Sequence, residues 1–513
     1  MRLRAAALVL FIASLTPLAA QNLEIHTINV AWGGSVLIVG PDGTTVLLEA
    51  GETGMGTSEV VPYLQSIGIQ PADGLDYMIA GHQHCDHVGG MDEVINAGYD
   101  VHTKNYYNGS STTSTCVTGW NTAAATTTAG SPVSMPVGTV ISLGNGATLT
   151  CIARNGSIIG GGSVSVSNEN DRSIALLLKY GAFEYLWASD LGGGGDACTG
   201  RSTTQTNVET SVIQAIVPGG ANPLIFSGGI DVLHVNHHGS ESSTNPTYYD
   251  LASPSLAVIG VGDGQSTGWD LPRIDVVDDV LHGTTCVTAE NALVLQTEEG
   301  SPAGSSLSTS GYCVGNIVVT TDGKSTYTVD ADGDVNQGPN EYVSSGLPAV
   351  IDLDGVDIGG WKLVQANATL NYTIPSGTVI PNGGYAIIAR NATKAQFETF
   401  WGVTLGSDVV YINSADTMPQ LNGSETYTLK DANNVTIDGP TYAHDSTSGD
   451  SLERATCGSS ALSGTWTKVA AGSATPGSNG KTGCSLGVFI NENSDAVGTG
   501  NYVYEFIELY NDR

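Results

Sequence analysis

The sequence predicts an α+β protein in which a four-layer αββα sandwich is followed by a β-sandwich. Apolar strand patterns alternate with short helical patterns between residues 23 and 330. From Ile351 onward, short strands and Gly-, Pro- and Asn-rich turns replace the helical patterns. Gly accounts for 67 residues and Lys plus Arg for 17, which favours β-rich architecture over long charged helices.

The first twenty residues have the pattern of a secretory signal peptide. Basic Met1–Arg4 precedes the apolar run Ala5–Leu15, and small residues come before Gln21. The run is too short to cross a bilayer as a helix of the mature protein. We therefore expect a secreted, extracellular protein without a membrane span; an uncleaved membrane anchor is the alternative.

The first predicted domain, residues 21–330, combines strand pairs with a few helices. Its strands are expected in Leu23–Leu48, 77–80, 174–178, 184–188, 232–235 and 256–259. Helical spacing predicts helices in Ser58–Ile67, Met91–Ala97 and Ile274–Leu281. The Thr-, Ser- and Gly-rich stretch from Gly98 to Gly161 predicts strands and long loops.

The sequence pattern changes between Val329 and Tyr342 from mixed strands and helices to short strands and turns, and we expect the domain boundary there. Asp330, Asp332 and Asp334, followed by Asn336 and Glu341, are spaced like the oxygen ligands of a calcium loop. Position six holds Val where an EF-hand needs Gly, and helical patterns do not flank the segment. A calcium site and a solvated acidic linker both stay open.

Residues 331–485 alternate strands and turns and resemble a lamin-tail domain, an immunoglobulin-like sandwich. The resemblance implies binding of an unknown ligand or surface, or spacing. The final segment, 486–513, has the strands 488–492 and 504–511. Either these strands complete the sandwich in a permuted order, or they begin a truncated second copy. Permutation is favoured, because lone exposed Phe- and Ile-rich strands would aggregate.

The densest group of ligand-type side chains is His82-x-His84-x-Asp86-His87, at the end of an apolar strand. Side chains two residues apart in a strand point the same way, so His82 and His84 are expected to face one pocket. Asp86 and His87 follow on the turn and can face a second cation. Imidazoles and carboxylates suit zinc and similar metals. We expect two divalent ions, zinc first and manganese or iron as alternatives; a histidine cluster without metal is the plain alternative.

This motif, followed by Val88-Gly-Gly90, resembles the defining motif of the metallo-β-lactamase superfamily. Asn168–Leu176 with Phe183–Asp190 is similar to the strand pair that delivers a metal-bridging aspartate. Val232–Ser240, with its His-His-Gly-Ser sequence, resembles the metallo-hydrolase domain of bacterial DNA-uptake (competence) proteins. The resemblance covers roughly residues 23–330. It implies a metal-dependent hydrolase with the αββα fold.

The resemblance implies six metal ligands, which are His82, His84, Asp86, His87, Asp190 and His237. In that assignment Asp190 bridges the two ions, and His237 completes the site formed by Asp86 and His87. His238 would lie in the substrate pocket. Asp86 and His238 are the expected catalytic residues, because they would orient the attacking water and contact the substrate. His234, upstream on the strand, is expected to be structural.

Two positions depart from the superfamily pattern. Glu49 stands where the strand pair before the motif usually has Asp. The stretch Thr148–Arg154, where a third histidine for the first metal usually lies, contains none. Water or another residue such as Asn155 is expected to complete that site, and a single-metal enzyme is the alternative.

The formal net charge of −33 is spread along the chain. Such a charge repels polyanions and argues against tight nonspecific nucleic-acid binding, which depends on Lys and Arg. It leaves polyanionic substrates open, because bound divalent cations supply positive charge locally.

Eight cysteines in a chain with an export signal predict disulfides. The expected sequence-local pairs are Cys116–Cys151, Cys286–Cys313 and Cys457–Cys484. Cys85 and Cys198 are left to pair with each other or to stay reduced.

These features predict a secreted metal-dependent hydrolase of small-molecule or polymeric substrates. The His-His-Gly-Ser resemblance favours phosphodiester cleavage, by attack of a hydroxide that two bridging cations make available. The alternatives are hydrolysis of esters, lactones or β-lactams, and a binding protein that has the fold without the activity.

Overall fold

The structure is a computed structural model. It describes residues 22–512 except 226–228, 263–264, 266–268, 284–285, 290, 301–310, 325, 334–346, 354, 367–370, 407, 420, 422–424, 444–449, 471, 483, 485–486, 497 and 499. The predicted signal peptide, residues 1–20, lies outside the described residues. Within them, helices are too short or too polar to cross a membrane.

Nineteen strands build two large sheets in the first part of the described chain. They are β1 (Leu23–Thr27), β2 (Val36–Val39), β3 (Thr45–Leu48), β4 (Leu75–Ile79), β5 (Val101–Tyr107), β6 (Val133–Ser134), β7 (Val140–Gly144), β8 (Ala147–Arg154), β9 (Ser157–Ile158), β10 (Gly162–Ser163), β11 (Ala175–Tyr180), β12 (Phe183–Trp187), β13 (Val232–His234), β14 (Leu256–Ile259), β15 (Leu293–Gln296), β16 (Tyr312–Cys313), β17 (Ile317–Thr321), β18 (Thr326–Ala331) and β19 (Ala349–Asp352). The first sheet has the order β19-β18-β17-β1-β2-β3-β4-β5-β6. The second has the order β10-β9-β8-β11-β12-β13-β14-β15-β16, with β7 beside β8.

Six α-helices and two π-helical segments accompany these sheets in the described residues. They are α1 (Val61–Ser66), which continues a π-helical turn at Gly56–Val60, α2 (Cys85–Val88), α3 (Met91–Asn96), α4 (Thr115–Ala124), α5 (Glu209–Ile216) and α6 (Pro246–Ala252); a further π-helical segment spans Asp275–Leu281. The three predicted helices are confirmed to within about two residues at each end, the usual uncertainty of helix limits.

Three apolar clusters show the four layers. Side chains of both sheets, such as Ile38 and Leu178, share one buried cluster between the sheets. A second cluster packs helix α5 and the helical segment 275–281 on the outer face of the second sheet. A third packs α1, α3 and α4 on the outer face of the first sheet, with Met78 at its base. The predicted αββα sandwich is confirmed.

Helix α4 overturns the expectation that residues 98–161 hold only strands and loops. Threonines depress helix propensity, which hid this helix in the sequence. Ser114 caps it by accepting a hydrogen bond from the backbone N–H of Val117. The buried Trp120 anchors it against the first sheet.

The second part of the chain is rich in β-strands among its described residues. Its elements are β20 (Gly355–Asp357), β21 (Lys362–Gln365), β22 (Asn371–Thr373), β23 (Val379–Pro381), β24 (Tyr385–Ala389), α7 (Lys394–Trp401), β25 (Val409–Asn413), β26 (Tyr427–Lys430), β27 (Thr436–Asp438), β28 (Ser451–Arg454), β29 (Trp466–Val469), β30 (Val488–Ser494) and β31 (Phe506–Asn511). A six-stranded sheet, β25-β24-β31-β30-β28-β29, faces the sheet β22-β21-β26-β27 across a common apolar core. The last two strands lie at the centre of the larger sheet.

The boundary region joins both parts. Strand β19 pairs with β18, so the first sheet includes residues on both sides of the division expected at residue 330. Of the calcium-loop residues, Asp334, Asn336 and Glu341 lie outside the described residues. Asp332 accepts hydrogen bonds from the backbone N–H and the side-chain amide of Asn316.

The disulfides correct two of the three predicted pairings. Cys85 bonds Cys116, and Cys198 bonds Cys286, across 31 and 88 residues of chain. The expected pairs Cys116–Cys151 and Cys286–Cys313 are therefore wrong, and Cys151 and Cys313 lie buried in strands. Cys457–Cys484 is confirmed. Sequence proximity misled because the helix α4 returns Cys116 to the motif, whereas β8 carries Cys151 into the core between the sheets.

Candidate metal centre

The six predicted ligands and His238 meet where strands of both sheets end. Strand β4 leads into His82 and His84, and the short helix α2 carries Asp86 and His87. Strand β12 leads to Asp190, and β13 leads to the turn with His237 and His238. Strands β3 to β5 run parallel in one sheet, and β12 to β15 run parallel in the other. Parallel strands bring their carboxyl ends to one edge, where α/β proteins place their sites.

Four imidazoles converge on the carboxylate of Asp190. Their distances to its oxygens are 3.6 Å from His82 Nε2, 3.2 Å from His87 Nε2, 3.5 Å from His237 Nε2 and 3.6 Å from His238 Nε2. Asp190 and three of these histidines are less than 5% exposed. The sequence-distant motifs therefore form one buried cluster.

The opposite nitrogen of each of these rings is held from outside the cluster. The contacts are His82 Nδ1 with Ser189 Oγ (3.0 Å), His87 Nδ1 with Glu49 Oε2 (2.7 Å), His237 Nδ1 with Ser242 Oγ (2.9 Å) and His238 Nδ1 with the carbonyl oxygen of Gly260 (2.7 Å). Outer contacts of this kind fix the ring orientation and leave Nε2 to bind a cation. The arrangement could hold a metal ion.

Glu49, at the position expected from the resemblance to hold Asp, contacts residues that orient the motif histidines. Its Oε2 contacts His87, while its Oε1 accepts hydrogen bonds from Ser189 Oγ (2.6 Å) and from the backbone N–H of Gly81 (3.2 Å). A Cβ on Gly34 would lie 2.6 Å from Glu49 Oε2. The glycine thus makes room for the longer carboxylate.

The distances between ligand atoms fit divalent metal ions. Three groups have ligand atoms within 4.8 Å of one another; they are Asp86, His87, Asp190 and His238, then His82, His84 and Asp190, and finally Glu49, His82 and His87. Two ligands about 2.1 Å from a tetrahedral ion lie about 3.4 Å apart. Within the first group, His238 Nε2 is 3.2 Å from His87 Nε2 and 3.7 Å from Asp86 Oδ2. In the second, His82 Nε2 is 3.0 Å from His84 Nδ1.

The two adjacent histidines lie differently from the expectation. His238, assigned from the resemblance to the substrate pocket, lies in the group with Asp86 and His87. The Nε2 of His237 faces Asp190 and also lies 3.2 Å from the side-chain amide of Asn170. Both histidines have φ near 52°, in the left-handed region. Two successive left-handed residues turn the chain sharply, and strand periodicity in the sequence does not predict such a turn.

Burial and charge act together on the ionisation of the cluster. Burial, with His87 nearby, holds the pKa of His82 well below its usual range. Burial opposes a charge on His87, but the surrounding carboxylates, Asp190 first, raise its pKa well above the usual range. Burial also opposes ionisation of Asp190, yet the facing imidazoles hold its pKa well below the usual range. The carboxylate is therefore kept in its ionised, metal-binding form.

Several residues at the site were not predicted from the sequence. Asn170 borders the cluster, although the predicted substitute for the missing histidine was Asn155, which lies in the turn between β8 and β9. Glu209 is buried and receives hydrogen bonds from Asn236, Thr244 and Asn245, on both sides of the His-His turn. Glu209 is the first residue of helix α5, an ordinary position for an acid, so no signal in the sequence indicated it. His234 is buried, as expected of a structural residue, and burial lowers its pKa to about 3.

The first part of the chain is thus an αββα sandwich with a candidate metal centre, a buried histidine–aspartate cluster, at its strand ends. No protein-family model matches the sequence. Recombination protein 2 of Haemophilus influenzae is 23% identical over 270 residues, which cover 51% of this chain and 27% of that protein. The chain thus spans about a quarter of the length of the curated relative it matches.

Solved structures are also similar to part of the chain. The metallo-beta-lactamase fold protein YhfI from Bacillus subtilis has a TM-score of 0.29 and 10% identity over 48% of this chain and 89% of its own. A diphosphatase from the PhnP family has a TM-score of 0.29 and 12% identity over 53% and 96% of the two chains. Zn(2+)-bound PqqB from Methylobacterium extorquens has a TM-score of 0.28 and 10% identity over 46% and 89%.

Proposed function

We propose that the protein is a secreted metal-dependent hydrolase that cleaves phosphodiester bonds. The observation that carries the proposal is the convergence of four outward-anchored imidazoles on Asp190. The inward nitrogens lie about as far from one another and from Asp190 as the ligands of one ion do, 3.0 Å between His82 and His84 and 3.2 Å between His87 and Asp190, so this set of imidazoles and carboxylates suits divalent ions.

For the ligands, we propose that Asp86, His87 and His238 hold one ion and that His82 and His84 hold the other, with Asp190 between them. His237 is the remaining imidazole, and its Nε2 faces Asp190 at 3.5 Å. It is the best-placed substitute for the histidine that the stretch 148–154 lacks. This assignment gives His238 the second-site role that the resemblance implied for His237, and it moves His237 to the first site.

The chain's own residues perform three tasks in this proposal. Glu49, Ser189, Ser242 and the carbonyl of Gly260 keep the rings oriented, so little reorganisation is needed during the reaction. Asp86 lies in the ligand group with His87 and His238 and would accept a proton from the attacking water. When bound, two divalent cations would lower the pKa of that water and neutralise charge on the attacked group.

Two observations favour phosphodiesters over other substrates. The His-His-Gly-Ser turn, which the sequence shares in pattern with competence proteins, supplies two imidazoles to the cluster. The curated relative is named for recombination, a process that acts on nucleic acids. Because Lys and Arg are scarce, affinity for such a substrate would come from the bound cations.

A metal and activity measurement tests the proposal. The purified full chain is stripped with chelator, reloaded with zinc or manganese, and assayed for bound metal by mass spectrometry. Turnover is then measured on bis-(p-nitrophenyl) phosphate, DNA, a lactone and nitrocefin. We expect two ions per chain and metal-dependent phosphodiester cleavage, at least about 10³-fold reduced in Asp190→Asn because the bridging carboxylate is lost.

His102 provides the matched control, because it is an exposed histidine outside the cluster. His102→Ala should keep two ions and full turnover, whereas His84→Ala should lose an ion. Full activity of Asp190→Asn, or cleavage of nitrocefin or the lactone in place of phosphodiesters, would refute the proposed reaction.

We also propose export and a single C-terminal domain. Three disulfides support an oxidising compartment. Pairing of β31 with β24 and of β30 with β28 supports a lamin-tail-like sandwich over residues 331–485 that 486–513 complete in permuted order. Finding the protein in the culture medium with an N-terminus near Gln21 would verify export; an intact Met1 in the cell fraction would contradict it.

A further inference from the structure

Two tryptophans lie beside the metal cluster, and neither belongs to a sequence motif. The ring of Trp32, 8% exposed, lies 5.0 Å from the ring of His238, centre to centre. Trp269 makes a T-shaped contact with Trp32 at 5.4 Å. Trp269 is 45% exposed and is the only tryptophan among the exposed large apolar side chains of the described residues. The aromatic row thus runs from a cluster ligand to the surface.

The row is held in place from both ends. Gly33, next to Trp32, packs so closely on the carbonyl of Asp86 that a Cβ there would lie 2.0 Å from its oxygen. Arg273 donates its backbone N–H to the carbonyl of Gly239 (2.8 Å), which ties the Trp269 segment to the His-His turn. The segment that carries Trp269 is therefore anchored near the cluster, and the ring itself contacts Trp32 while staying open to solvent.

The charges nearby favour a neutral ring over a second anionic group. Arg273 is the cation closest along the chain to Trp269, and its Nε forms an ion pair with Glu241 at 2.9 Å. Its guanidinium also lies 3.9 Å from Asp270. With its charge balanced in this way, Arg273 offers little to an additional phosphate. The exposed indole offers stacking, which accepts any planar ring.

We propose that Trp269, supported by Trp32, forms a stacking subsite for a planar ring carried by the substrate a few bonds from the scissile group. A nucleobase attached through its sugar and an aryl group on a short alkyl linker both have this chemistry. The inference rests on the proposed function only in placing the reacting phosphate at the cluster. The contact of Trp269 with Trp32, and of Trp32 with His238, places an exposed planar surface at the end of a row that starts in the cluster.

Calorimetric titration of the zinc-loaded full chain tests the subsite. One pair of probes is deoxyadenosine 5′-phosphate and deoxyribose 5-phosphate; the other is 2-phenylethyl phosphate and ethyl phosphate. Within a pair, the ring-bearing probe should bind about five- to tenfold more tightly, as expected for one stacked ring. Trp269→Ala should reduce this ratio to about one, and Trp269→Phe should retain part of it. Tyr442→Ala, which removes an aromatic ring 42% exposed in the C-terminal region, is the control and should keep the ratio.

The outcomes separate the subsite from the hydrolase proposal. A Trp269-dependent ratio in the nucleotide pair alone identifies a nucleobase, and in the phenylethyl pair alone an aryl group. A ratio that Trp269→Ala leaves unchanged, or absence of binding by both ring-bearing probes, overturns the inference. Hydrolysis is judged separately by metal-dependent turnover of bis-(p-nitrophenyl) phosphate. An active enzyme without the ratio thus refutes only the subsite. Melting temperatures of the variants show that each is folded.

Discussion

The protein buries two sets of ionisable side chains, and the two differ in how their charges are arranged. In the first part, imidazoles surround Asp190, so unlike groups face each other across 3.2–3.6 Å. In the C-terminal sheet, Glu492 of β30 lies directly opposite Glu508 of β31, and both are fully buried. Like groups therefore face each other there.

Burial of ionisable groups does not by itself indicate a functional site. The groups that surround the buried charges distinguish the two clusters. The imidazoles hold the pKa of Asp190 well below its usual range against the effect of burial. At Glu508 burial dominates, and it raises the pKa to about 8. Mixed donors suit a cation, whereas a pair of buried glutamates is accommodated by taking up a proton. Groups of three or more metal-type ligand atoms lie only around the first cluster, among the residues that the structure describes.

Removing residues 486–513 should have the largest effect, and only on the C-terminal region. The deletion takes away β30 and β31, the two central strands of a six-stranded sheet, together with buried Ile490, Ile507 and Leu509. Calorimetry should show loss of the C-terminal unfolding transition while the metal content stays at the full-length value. A truncated chain with an unchanged melting profile would mean that these strands are a separate, dispensable copy.

The two shorter disulfides allow a matched test. Cys85–Cys116 closes 31 residues and Cys457–Cys484 closes 27. Replacing either pair by serine should lower the free energy of unfolding of its own region by about 3.5 kcal/mol, because the loops are nearly equal in length. Only Cys85→Ser with Cys116→Ser should also weaken zinc binding, since Cys85 lies between His84 and Asp86. Urea unfolding and zinc titration measure both effects; equal zinc affinity in the two double variants would contradict the proposed role.

Zinc should stabilise the first region and leave the second unchanged. At a free concentration of about 100 times the dissociation constant, the gain in unfolding free energy is about 2.7 kcal/mol. Differential scanning calorimetry with zinc and with chelator would show one transition moving. In Asp190→Asn neither should move. A zinc-dependent shift of the C-terminal transition would show that the buried glutamates also bind a cation, and the contrast between the two regions would fail.

The sequence predicted the parts of this arrangement that depend on short-range patterns. The short apolar strand before His82 placed the motif at a strand end, whereas Asp190 was joined to it only through the resemblance to the metallo-β-lactamase superfamily. The arrangement of His237 and His238 could not be predicted, because it depends on two left-handed residues in succession. Trp32 and Trp269 were also missed, since their contact joins loops that are far apart in the chain. Two of the three predicted cysteine pairs were wrong for the same reason.

The pH dependence of the C-terminal region gives the smallest expected effect and the sharpest test of like-charge burial. Burial raises the pKa of Glu508 to about 8 and that of Glu505 to about 7. Burial first, and Glu508 second, raise the pKa of Glu492 well above its usual range. A raised pKa in the folded state means that the stability is fully present below about pH 4.3, the ordinary value for glutamate, and is lost as pH rises through the folded-state pKa.

Glu492→Gln removes one of the two facing carboxyl groups. It should reduce the loss of unfolding free energy between pH 5 and 9 by about 1–2 kcal/mol. Urea unfolding at pH 5, 7 and 9 measures it, with the exposed Glu59→Gln as control. If Glu492→Gln instead steepens the loss of stability above pH 7, the glutamate is ionised and paired in the folded protein, and the two buried clusters are alike.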